Sequence, residues 1–90
     1  WERNLPTLYE RLDLLDRAAL AAASGTLAEA TRTEALDIAH KLAGSLGMFG
    51  HHRGTEIARD IEQILKAPTP ESLANLAAFT TDLRRALADE

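Results

Sequence analysis

Apolar residues recur along this chain at intervals of three and four, the spacing that gathers them on one face of a helix. Leu8, Leu12, Leu15, Ala19 and Ala22 form the first series. Asn4 stands before it as a candidate cap, and Ser24-Gly25 ends it, because glycine takes the left-handed conformation that closes a helix. A second series, Ala35, Ile38, Ala39, Leu42, Leu46 and Phe49, follows Thr31-Arg32-Thr33-Glu34, which has the form of a capping box. The segment Leu27 to Ala30 leaves room for a short extra helical turn before it. Gly50 ends the second helix, with His51-His52-Arg53-Gly54 as the turn. Ile57, Ile61, Ile64 and Leu65 mark a third helix that stops before Pro68, since the residue preceding a proline is pushed out of helical geometry. Thr69-Pro70-Glu71 opens a fourth, with threonine as cap and proline where no amide bond is lost. Leu73, Leu76, Ala77, Leu83 and Leu87 line its inner face. The prediction is an all-α fold: an antiparallel up-down-up-down four-helix bundle.

The second helix carries the unusual pattern. At about 100° per residue, with His40 as origin, Ile38, Leu42 and Phe49 fall near 160–200°, and Ala35, Leu46 and Ala39 extend that arc to about 260°. His40 is therefore expected to point away from the core. Ala43, Gly44 and Gly47 lie within about 60° of it, so the ring should stand above a surface almost without side chains. That arrangement is unfavourable for the helix itself: each interior glycine costs roughly 0.5–1 kcal/mol relative to alanine. A solvated face normally carries Lys, Glu or Gln instead. Bareness beside an exposed imidazole makes sense if another protein must approach the ring closely.

Composition narrows the chemistry. Ninety residues make one small domain, 1–90, read as a segment of a longer multidomain protein because it starts at Trp1. Aromatics are 4% and valine is absent, so the material for strands is thin. No cysteine excludes disulfides and thiol chemistry. A net charge of -4 argues against a nucleic-acid partner. No apolar run approaches the roughly 20 residues needed to cross a bilayer, and a cytoplasmic location is expected. His51 and His52 adjoin a turn, but adjacent loop histidines point apart and no ligand motif accompanies them, so no metal site is assigned. What remains is the exposed imidazole. Neutral near pH 7, it can attack phosphorus through one ring nitrogen while the other holds the proton.

The stretch Ala39-His40-Lys41-Leu42-Ala43-Gly44-Ser45-Leu46-Gly47-Met48-Phe49-Gly50 resembles the signature A-H-x-L-K-G-S-x-x-x-x-G of histidine-containing phosphotransfer (HPt) domains. Ile57-Ala58-Arg59-Asp60-Ile61-Glu62 is similar to the family's third helix, which ends in Leu-Glu. The flavour is that of modules found in bacterial multidomain response regulators. The resemblance implies that His40 is phosphorylated, that Gly44 gives a partner clearance, and that Glu62 hydrogen-bonds Nδ1 and leaves Nε2 to take phosphate. It also implies a monomeric phosphoryl carrier, no enzyme by itself, that holds no cofactor. Its partner would be a receiver domain of a response regulator or hybrid kinase, which supplies the Mg²⁺. One position departs from the pattern. Where the family places a lysine one turn after the histidine, this chain has Ala43. Lys41, about 100° round the helix, and Arg59, one turn before Glu62, are the two cations open to that role. Two alternatives stand beside the carrier reading: a docking or dimerisation bundle that never carries phosphate, and the phosphoacceptor domain of a chemotaxis-type kinase.

Overall fold

The computed structural model describes residues 5–89, which form four α-helices: α1 Leu5–Ala23, α2 Glu29–Met48, α3 His52–Lys66 and α4 Pro70–Asp89. Each packs on its neighbour in the chain, and α1 closes the ring against α4. The bundle measures 35 × 20 × 18 Å, about the length of a 20-residue helix and two helices across. Among the described residues there is no strand. The fold is the expected four-helix bundle. Asn4, the candidate first cap, lies outside the described residues.

Three helix boundaries follow from local chemistry as read. Gly25 and Gly50 take φ of +71° and +78°, and each closes a paired C-terminal bond pattern. After α2, Gly50 N–H donates to Gly47 O at 3.2 Å and His51 N–H to Leu46 O at 2.9 Å. At the start of α4, Thr69 Oγ1 accepts from Ser72 N–H at 3.0 Å, and Ser72 Oγ accepts from Thr69 N–H at 2.9 Å. This is a capping box with serine in the place of glutamate.

Two boundaries differ. The second helix begins at Glu29, its N-cap Ala28 making no side-chain cap bond, so Thr31 and Glu34 lie inside the helix rather than capping it. The extra turn over Leu27–Ala30 does not exist separately; its second half is the first turn of α2. The cause is tertiary. Arg32 binds both carboxylate oxygens of Glu29 one turn back and reaches the Leu65 carbonyl near the end of α3. It thereby fixes the helix start two residues ahead of the threonine, and the same guanidinium holds the Glu29 carboxyl below its usual range. The α2–α3 turn is also shorter than expected: α3 starts at His52, with His51 as its N-cap residue. Gly54, read as turn, is buried in the first turn of α3, where an added Cβ would stand 3.1 Å from Leu87 Cδ2 and 3.3 Å from Leu46 Cδ1.

The core is leucine, isoleucine and alanine. Leu12, Leu15, Leu42, Leu46, Ile61, Leu65, Leu76 and Leu83 are at most 4% exposed. Ala18, Ala19, Ala22, Ala35, Ala39 and Ala58 are buried between them. The alanine-rich stretch of α1 is thus packing surface as well as helix former. The buried hydroxyls are satisfied locally, Thr55 Oγ1 by His51 O at 2.8 Å and Thr80 Oγ1 by Ala77 O at 3.0 Å. Outside the core, Arg84 of α4 binds Asp16 and Asp13 of α1, each at 2.7 Å.

Candidate functional site

The inward arc of α2 is Ala35, Ala39, Leu42, Ala43 and Leu46. With His40 as origin these fall between about 200° and 300°. Phe49, expected in the arc, follows the last helical residue and is 43% exposed. Ile38 is only partly buried. The arc is therefore rotated by about 40° from the predicted one. Two consequences follow. Ala43, expected on the bare surface beside His40, is 5% exposed and belongs to the core. And His40 stands at the flank of the buried arc, on the side facing α3, rather than opposite the core.

That flank position makes the site. The His40 side chain is 71% exposed, yet its Nδ1 lies 2.7 Å from Glu62 Oε2 on α3. Glu62 is the more buried partner, its side chain 20% exposed. The register of the two helices brings these positions together. Gly47 faces Thr55, whose Oγ1 lies 3.8 Å from where a glycine Cβ would be. His40 faces Glu62 seven residues away on each helix, in opposite chain directions. An ionised carboxylate only accepts hydrogen bonds. Against such an acceptor, a neutral ring donates from Nδ1 and keeps its lone pair on Nε2.

Gly44 and Gly47 lie where expected, exposed on the strip that runs from His40 toward the end of α2. Nothing stands within 4 Å of a Cβ built on Gly44. Met48, 82% exposed, ends the strip. The two candidate cations separate. Lys41 Nζ is paired with Asp37 at 2.8 Å, one turn back on α2. Lys41 also lines an open groove of about 420 Å³ toward α1, with Arg11, Leu14, Arg17 and Ile38. It sits on the side of α2 away from Glu62. Asp37 was not singled out in the sequence, although its i,i+4 spacing to Lys41 is the signal for such a pair. Arg59 is exposed on α3, and among the described residues it enters no ion pair. His51 and His52 lie at the turn beyond Met48, apart from the His40–Glu62 pair.

No helix among the described residues is long and apolar enough to cross a membrane. Comparison with known proteins places these features in a family. A family model described as Hpt domain matches residues 2–89. Over 62 residues the chain is 34% identical to Protein RcaC of Microchaete diplosiphon. That match covers 69% of this chain and 10% of the relative, so the chain spans about a tenth of the curated protein it resembles. No solved structure matches significantly. With the family match running over nearly the whole chain, and the four helices packed as such domains require, the chain belongs to the Hpt domain family, whose work is phosphotransfer in two-component signalling.

Proposed function

We propose that this domain is a phosphoryl carrier that exchanges phosphate between His40 Nε2 and an aspartate of a receiver domain. The observation that supports this reading is the 2.7 Å pairing of Nδ1 with Glu62 beneath a ring that is 71% exposed. On this reading the paired Nδ1 keeps its proton and Nε2, on a ring open to solvent, is the nucleophile.

The bonds made and broken in the exchange balance. The Nε2 lone pair attacks the phosphorus of the aspartyl phosphate. The N–P bond forms as the P–O bond to the aspartate breaks, and the bonding pair leaves with the carboxylate, whose charge a Mg²⁺ held by the partner would stabilise. No proton moves. The ring, now carrying Nδ1–H and Nε2–P, is cationic, and the Glu62 carboxylate beside it stabilises that charge. Return of phosphate is the same path reversed. Phosphoryl transfer depends mainly on positioning and charge neutralisation, so a domain that presents one aimed nitrogen on a clear surface supplies its share. Catalysis of the exchange then rests with the receiver.

Incubation with a receiver domain charged from labelled acetyl phosphate tests the proposal. Wild type should acquire acid-labile, base-stable phosphate, and His40→Gln should acquire none. Its unfolding free energy should stay within the range of surface substitutions, about ±0.5 kcal/mol. Label retained in His40→Gln and lost on replacing His51 or His52 would overturn the assignment. A phosphate-free docking bundle would leave wild type unlabelled while it still bound the receiver.

A further inference from the structure

The carrier reading leaves one requirement unmet on α2. A phosphoryl group on His40 brings negative charge to a site whose nearest identified partner is a carboxylate. Ala43 is in the core and supplies no charge, and Lys41 is held by Asp37 on the flank toward α1. Resting on that reading, we propose that Arg59 of α3 is the residue that binds the phosphoryl oxygens on His40.

The helix register selects it. With Glu62 as origin on α3, Thr55, Lys66 and Arg59 fall at about 20°, 40° and 60°. All share the flank turned toward α2. Lys66 and Arg59 stand one turn to either side of Glu62. The antiparallel pairing that sets His40 against Glu62 and Gly47 against Thr55 places them differently with respect to α2. Lys66 comes opposite Leu36 and Asp37, where α2 bears side chains and a carboxylate, and it sits in the last turn of α3, a favourable place for a cation whatever else it does. Arg59 comes opposite Ala43, next to Gly44 and the surface left open for an incoming group.

Distance and availability agree. Residues three apart on a helix have Cβ atoms about 5–6 Å apart, and Glu62 already touches the ring. A guanidinium from Arg59 therefore has the imidazole within one side-chain length. Glu62, the carboxylate one turn along that would otherwise claim it, is engaged by His40, and Arg59 makes no ion pair among the described residues. Its planar fork suits phosphate oxygens better than a lysine's point charge. The cation missing from α2 is thus supplied across the groove, from the helix that also supplies the carboxylate.

Phosphoramidate, which phosphorylates imidazole without a protein donor, separates this role from docking. Labelling of His40 in Arg59→Ala should be at least five-fold slower than in wild type. Arg59→Lys should recover a substantial part of the rate, and Lys41→Ala and Lys66→Ala should stay within two-fold. The ³¹P resonance of the phosphorylated domain should move in Arg59→Ala and not in the two lysine variants. An Arg59→Ala domain that matches wild type in rate and resonance, or a loss carried by Lys66→Ala or Lys41→Ala, overturns the role of Arg59 and leaves the carrier reading standing. A wild type that takes no phosphate on His40 removes both.

Discussion

At the scale of single residues, the contact that bears most on His40 is Glu62, 2.7 Å from Nδ1. In the proposed exchange the carboxylate holds one tautomer and then faces the cationic ring. Replacing it by alanine frees the imidazole to rotate and to protonate either nitrogen. A hydrogen bond to a charged group contributes about 1.5–3 kcal/mol, so Glu62→Ala should slow phosphate uptake by roughly ten- to a hundred-fold. Glu62→Gln, which keeps an acceptor, should lose less. Rapid-quench labelling of the two variants checks the order, and equal rates in wild type and Glu62→Ala would deny the carboxylate this part. The pair was legible in the sequence only through the family signature. Nothing in the periodicity of two separate helices says that residues 22 apart will meet. Ala43 was misplaced for a related reason. A single helix shows its hydrophobic arc only to within a residue's rotation, and an alanine is apolar enough for the core and small enough for a bare surface.

At the scale of elements, α2 carries two opposed demands. It buries Ala39, Leu42 and Leu46 against its neighbours, and in the proposed function it must also keep Gly44 clear on the outside. The free space around Gly44 makes the conflict measurable. Gly44→Gln meets no clash in the free domain and replaces a poor helix former with a good one. It should raise stability by about 0.5–1 kcal/mol while weakening receiver binding several-fold in calorimetry. Unchanged affinity would show that the partner does not need the clearance. The two threonine-based helix starts show the limit of local reading. Thr69 caps α4 as its sequence suggests, whereas Thr31 does not cap α2, because Arg32 ties Glu29 to the end of α3 and extends the helix upstream of the motif. Local signals hold where no long-range contact competes with them.

At the scale of the whole molecule, the bundle depends on a thin core of aliphatic side chains with few aromatics, and an ion cluster ties α1 to α4. The magnitudes decide between them. Leu46 is fully buried where α2, α3 and α4 meet, and truncating such a side chain costs about 2–5 kcal/mol. Arg84 is about a third exposed, and surface ion pairs contribute about 0.2–1 kcal/mol each. Urea unfolding should therefore show Leu46→Ala several-fold more destabilising than Arg84→Ala. A reversed order would mean that the Arg84 cluster, and not the apolar interior, governs the assembly. The four-helix arrangement was legible because Leu and Ile at helical spacing leave one economical way to hide their faces. The close seat of Gly54 between Leu46 and Leu87 was not, since it depends on how the helix ends converge.

The empty space over Gly44 also bears on how such a chain would change under different screens. A library sorted only for resistance to heat or protease would fill that position quickly with larger residues. If a receiver docks there as proposed, a library sorted for signal passage would keep it vacant. The position would thus look expendable or indispensable according to what was asked of the molecule, with no difference in the structure of the isolated domain.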